Sequence, residues 1–329
     1  VVVNLSQRLS SINNFMEVKQ NMPIFATKKV LLLIGRYDKF SKYTIKNITR
    51  YMKEKRNVIF MALPCVIVLM VAFIIPMVYT FINALMTDNL TYYVKFFTDP
   101  FYLKIFKNTV VLSLKTTLLT LILGYPAAYF IARTKSKIKG VLIVATIFPF
   151  LVSAVIRAYG WMVILGSSGL LNQFLLNIGL IEEPLEIMYT ETSVMIGMAQ
   201  LLLPYMILAI TGVIQSIDQN VENAARSLGA NPIQTFFKVT LPLSSPGVVS
   251  GCILVFTMGM TSYITPQLLG GAQYLTMTTL IYNQIKTTYN LEFANAICYI
   301  LVFAILIFQI VSNSFSNSIN KRLGSGKNA

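Results

Sequence analysis

Six stretches of the chain stay apolar long enough to cross a hydrocarbon layer, which takes about 20 helical residues. They lie near 58–83, 108–132, 141–164, 193–214, 246–269 and 293–316. The pattern predicts an all-α integral membrane protein with six transmembrane helices. The first run follows Lys53, Lys55 and Arg56, as a secretory signal would. It is too long for one, and no A-x-A cleavage site follows, so it reads as an uncleaved helix. Segment 1–57 holds one compact apolar run, 30–34, far too short to span. The expected organisation is a cytoplasmic N-terminal segment 1–57, a transmembrane domain 58–316 containing a polar loop 215–245, and a cytoplasmic tail 317–329. The sequence opens on Val1, while Met52, followed by Lys53-Glu54-Lys55-Arg56, reads like an ordinary start before a membrane helix. Two readings of the first 51 residues stand level: an alternative start at Val1, or upstream translation that the cell does not use.

Composition supports the membrane reading. The 329 residues are 55% hydrophobic and only 12% charged, with a mean hydropathy of +0.66. A soluble domain of this size has no core able to bury that much apolar surface. The net charge of +15 does not point to nucleic acid, because the basic residues cluster at the ends of apolar runs without interleaved stacking aromatics. There is no histidine, which removes the commonest general base and metal ligand. Cys65, Cys252 and Cys298 each sit inside an apolar run without CxxC spacing and read as small buried hydrophobes. No metal or cofactor is expected.

Basic residues also set the expected orientation. Of the 27 Lys and Arg, twenty-one fall in segment 1–57, the 133–140 loop, the 215–245 loop and the tail. Lys95, Lys104, Lys107 and Lys286 alone fall on the other side, and Lys115 and Arg157 lie within spans. The positive-inside rule then places both termini and the 215–245 loop in the cytoplasm. The external 165–192 loop has no Lys or Arg but carries Glu182, Glu183, Glu186 and Glu191. That cluster is either a solvated loop, the favoured reading, or a greeting surface for a cationic substrate or docking partner.

The 215–245 loop reads DQNVENAARSLGANP from Asp218 and continues to Val239-Thr240-Leu241-Pro242. Residues 219–228 can form a short helix with one small-residue flank at Ala224 and Ala225, so a partner can approach its backbone closely. Gly229 suits the left-handed residue that ends a helix. Asn231-Pro232 supplies a cap and a preset first turn for a second helix, which Leu241-Pro242 is expected to break before the fifth span. From physics alone this is either a lever for a partner or a structured loop without mechanical role.

The spacing resembles the EAA loop of binding-protein-dependent ABC importer permeases: E-A-A, three residues, G, nine residues, I-x-L-P. Here it is Asn223-Ala224-Ala225, Gly229, then Val239-Thr240-Leu241-Pro242. Asn223 stands at the usual Glu and Val239 at the usual Ile. Glu222 keeps an acid one residue earlier, on a different helix face. The resemblance covers about 57–320. The stretches 148–161 (FPFLVSAVIRAYGW), 169–172 (GLLN) and 263–271 (YITPQLLGG) look most like spermidine/putrescine permeases, and iron, sulfate and phosphonate relatives share parts of them. The resemblance implies a type I, MetI-like permease fold in a bacterial cytoplasmic membrane, with Glu222, Asn223, Ala224, Ala225, Gly229, Leu241 and Pro242 in the coupling element. It also implies three partners: a cytoplasmic ABC ATPase dimer, a second homologous permease subunit forming a heterodimer, and an extracytoplasmic solute-binding protein. The chain itself has no G-x-x-x-x-G-K-[ST]; Gly324-Ser325-Gly326-Lys327-Asn328 lacks both the first glycine and the Ser/Thr. The engine is therefore expected in another chain, and this one is not expected to be an enzyme.

Several polar and aromatic residues are candidates for a translocation path. Thr257, Thr261 and Thr265 are spaced to share one face of a helix, as are Ser113, Thr116, Thr117 and Thr120 in part. Such hydroxyls either line a hydrated route or bond the preceding turn's carbonyls. Arg157 is costly in lipid and should face protein, water or the interface. Tyr159, Trp161, Tyr205 and Tyr263 can hold alkylammonium groups through cation–π contacts, or simply pack. Pro126, Pro204 and Pro266 add bends. A secondary transporter is the rival class, but proton coupling needs intramembrane Asp, Glu or His, and no carboxylate lies within the expected spans.

Overall fold

The computed structural model describes residues 63–82, 90–134 and 138–324, all helix, turn or coil, with no strand among them. Six helices there are long and apolar enough to cross a membrane. The chain divides into two compact units, residues 1–79 and 80–329. In the first, the described part is one helix, α1 (Leu63–Ile82), which runs three residues into the second unit. Its side chains are exposed almost throughout, as a helix with a lipid-facing surface requires. The expectations for 1–57 fall outside the described residues.

The second unit is built on three long helices: α3 (Pro100–Arg133), α7 (Glu191–Ser216) and α10 (Leu241–Thr261). These pack on one another along most of their length. Leu112, Tyr125, Met198, Leu202, Met206, Ile210 and Val255 fill the space between them. Close approach comes from small residues, as helix association in lipid demands. A Cβ on Gly247 would lie 2.8 Å from Val213 Cβ, and one on Gly251 would lie 2.8 Å from Met206 Sδ. A second cluster joins α2 (Leu90–Thr98), α11 (Met277–Lys286) and α12 (Leu291–Gly324) around Phe96, Ile105, Phe256, Met277, Phe293 and Ile297. Helix α12 extends eight residues into what the pattern reads as tail.

Two expected spans differ from the structure. The run 141–164 is not one helix: α4 (Ile138–Leu151) and α5 (Ala154–Leu165) are separated at Val152 and Ser153. Pro149 lies in the last turn of α4, where its ring and missing N–H disrupt the ladder. The turn after α5 leads into α6 (Leu170–Asn177). The fifth span starts earlier and ends earlier than 246–269: a continuous helical run covers Pro232–Thr261. Ser262, with ψ of 131°, ends it, and Pro266–Gly270 forms a separate wide turn. That turn is tied to the start of α7 through the Leu269 carbonyl, which accepts from Tyr189 N at 3.0 Å and Ser193 Oγ at 3.0 Å.

Candidate functional site

The loop between α7 and α10 folds as two helical pieces, the second of which feeds the bundle. Helix α8 (Gln219–Ser227) is capped by Asp218, whose side chain accepts from Asn220 N at 2.9 Å. It ends in a Schellman turn: Ala230 N donates to Ala225 O and Gly229 N to Arg226 O, with Gly229 at φ +89°. Asn231 then opens α9 (Pro232–Thr235) with a capping box to Gln234, at 2.7 and 3.1 Å.

The expected break at Leu241-Pro242 does not occur. A π-turn at Phe236–Thr240, in which Leu241 N reaches back to Phe236 O, carries the helix straight into α10. Proline lacks the N–H that a regular turn would use and its ring crowds the carbonyl four residues back. The wider π pattern makes room for both. Piece α9 is thus the first turn of the fifth membrane helix.

Glu222 is the buried member of α8, 2% exposed. Its Oε1 accepts from Arg133 Nη2 at 2.6 Å, from Arg133 Nε at 3.2 Å and from Thr240 Oγ1 at 3.0 Å. The acid one residue before the EAA position therefore faces the bundle, not a partner. The next turn is anchored by Phe236, whose ring meets Tyr125 and Tyr129 edge-on at 5.4 and 6.0 Å. Tyr125 in turn shares a 2.7 Å hydrogen bond with Ser244.

The opposite face is open. Asn223 and Ala224 are exposed and Ala225 is half-buried. Leu228 is 89% exposed and Ile233 68%, with Phe237 and Val221 exposed beside them. A shallow groove of about 320 Å³ is lined by Ala225, Leu228, Gly229, Ala230, Gln234 and Lys238. Leu241 and Pro242 are half-buried behind it.

The path candidates scatter. Arg157, Trp161 and Thr265 meet, together with Gly197 and Gln200, around a cavity of about 10 Å³, room for about one water. Trp161 Nε1 donates to Gln200 Oε1 at 2.7 Å. Arg157 Nη1 donates to Pro149 O at 2.9 Å, so its charge caps the carbonyl end of α4. Tyr159 is exposed and does not line this cavity. The Tyr205 ring packs on Phe150 at 4.6 Å, and Tyr263 on Tyr282 at 4.8 Å. Thr257 and Thr261 share α10, where the Thr261 hydroxyl bonds the Thr257 carbonyl. Thr265 lies past the end of that helix, so the expected three-threonine face does not form. Ser113, Thr116, Thr117 and Thr120 are buried between helices, and three of their hydroxyls bond the preceding turn. Sequence reading missed Gln200, Arg133 and Thr240. A lone glutamine in an apolar run was a usable signal for the first, but the other two become visible only through contacts far apart in the chain.

The family model for binding-protein-dependent transport system inner membrane components matches residues 117–325. The chain belongs to this family. It is the permease subunit of a binding-protein-dependent ABC importer, a multi-pass protein of the inner membrane. It is 33% identical over 267 residues to the spermidine/putrescine transport system permease protein PotB of Escherichia coli, covering 81% of this permease and 96% of that protein. It is 37% identical over 212 residues to the protein of the same name from Haemophilus influenzae, covering 64% and 74%. Among solved structures, the permease resembles a chain of a bacterial alginate ABC transporter in complex with an alginate pentasaccharide-bound periplasmic protein. The TM-score is 0.68 at 20% identity, covering 83% of the permease and 98% of that chain, a likeness of fold.

Proposed function

We propose that this permease moves a polyamine, of the spermidine and putrescine class, from an extracytoplasmic binding protein into the cytoplasm. A separate ATP-hydrolysing dimer docks on the outer face of α8 and drives it. The observation that carries the docking half is the exposed face of Leu228, Ile233 and Phe237 beside the Ala225–Gly229 groove. Leu228 lies in the loop between membrane helices and Ile233 and Phe237 in the first turns of the fifth helix, an apolar cluster that water alone would not favour. The missing phosphate-binding loop supports a separate engine. The polyamine reading is supported by the names of the relatives that align over most of the permease.

Both termini and α8 face the cytoplasm in this account, as the distribution of Lys and Arg favours. A second, homologous permease completes the membrane part as a heterodimer, and the exposed stripe Leu114, Leu118 and Ile122 on α3 is available to it and to lipid. Of the path candidates, Trp161 and Thr265, with Gln200, are the set retained. Uptake of radiolabelled spermidine by proteoliposomes holding the complete transporter tests the solute. Competition by putrescine supports it; competition by sulfate or phosphonate instead would overturn it. Cysteine labelling tests the orientation after Cys65, Cys252 and Cys298 are changed to serine. An impermeant reagent outside should reach Glu186→Cys and miss Lys137→Cys.

A further inference from the structure

The buried contacts of Glu222 join four elements at one point. Arg133 is the last residue of α3. Besides its two bonds to Glu222, its Nη1 donates to the carbonyl of Ile217, the residue that ends α7, at 3.2 Å. Thr240, which donates to the same Glu222 oxygen, closes the π-turn leading into α10. Helix α3 and the turn into α10 thus reach one carboxylate oxygen of α8, and the end of α7 joins them through the Arg133 guanidinium. Both charged side chains are shielded, at 14% and 3% exposure, and Thr240 is fully buried. A buried ion pair adds little net stability over a well-packed apolar pair. What it adds is direction, because every donor must keep its angle to the shared oxygen.

We infer that Arg133, Glu222 and Thr240 form a transmission latch that makes α8 move as one body with α3, α7 and α10. Glu222 is a positioning residue: it touches neither solute nor nucleotide. The inference rests on the reading that α8 takes the push of the ATPase. Asn223, exposed on the next position, leaves the partner contact to the outer face, while Glu222 carries displacement inward. Without the latch, α8 can still dock, but it rotates on its own end turns and the core helices follow less.

The test uses the complete transporter in proteoliposomes, with a cysteine at the far end of α10 or α7, Thr261→Cys or Tyr189→Cys, whichever responds to ATP in the otherwise unaltered complex. The rate of maleimide labelling there, with and without ATP, reads transmission and needs no transported solute. The double variant R133L/E222M replaces the pair by apolar side chains of similar size. It should accumulate and retain the ATPase, yet lose about 2- to 30-fold of the ATP-driven change in labelling, the span typical of substitutions along a coupling network. T240V, which spares the ion pair, should lose part of it, and T240S should restore it. An unchanged labelling response in either variant overturns the latch. So does loss of accumulation in both, which makes the cluster a folding element. Release of the ATPase with a normal response in the complexes that remain overturns it too, by placing Glu222 in docking. The docking reading itself fails or stands on variants of the outer face, which leave these three residues alone.

Discussion

Lys115 Nζ lies 2.7 Å from Glu191 Oε1, joining the middle of α3 to the first residue of α7. An ammonium on an apolar membrane helix is expensive without a partner, and this one is held by the acid that sequence reading assigned to a solvated external loop. At the other end of the α3–α7 contact, Arg133 Nη1 donates to the Ile217 carbonyl that ends α7. Lys115 is half exposed, so the tie is modest. A double-mutant cycle of K115M and E191Q in thermal unfolding should give a coupling of about 0.5–1 kcal/mol. Simple additivity would mean that the pair holds nothing.

Gly247 tests the close helix approach. Gly247→Leu would drive a side chain into Val213 and should destabilise the permease by about 1–3 kcal/mol. Gly212, also helical, has nothing within 4 Å of a built Cβ, and Gly212→Leu should change the melting temperature little. Equal effects would show that the packing does not decide.

Arg157 should behave as a brace for the broken third helix. R157M leaves the Pro149 carbonyl without its donor and should cost about 1–3 kcal/mol; R157K should recover part by keeping a cation at the helix end. Full stability of R157M would separate Arg157 from the α4–α5 break.

Trp161 is the single tryptophan of the chain, so intrinsic emission from the isolated permease reports its surroundings alone. Gln200→Leu removes the acceptor of its indole N–H and should shift emission to shorter wavelength. An unchanged spectrum would mean that the bond does not persist.

The six apolar runs were legible because span length and composition are strong signals that need no long-range contact. Finer features were not. A window of about 20 residues passes over the break at 152–153 because the residues on both sides are equally apolar. Leu241-Pro242 read as a stop because proline ends ordinary helices, and nothing local announces a π-turn that accommodates it. The shared face of Thr257, Thr261 and Thr265 assumed that one helix continued through Ser262. Glu222 read as an acid one residue before the motif position, on a different helix face; its inward turn depends on Arg133, 89 positions away in sequence. The capped helices around Gly229 were readable because caps and left-handed glycines are local.

Docking of the ATPase on the outer face of α8 is tested most directly by two substitutions. Ala225→Trp would fill the groove with bulk. Gly229→Val meets no neighbour, but puts a β-branched residue at φ +89°, at a cost of about 1–3 kcal/mol to the turn. Both positions lie outside the membrane helices. The measurement is the amount of ATPase that co-purifies with each variant from membranes, normalised to permease, with uptake measured alongside. Normal permease levels, a sharp loss of bound ATPase and a matching loss of uptake are expected. Wild-type retention of the ATPase and wild-type uptake in both variants would contradict it.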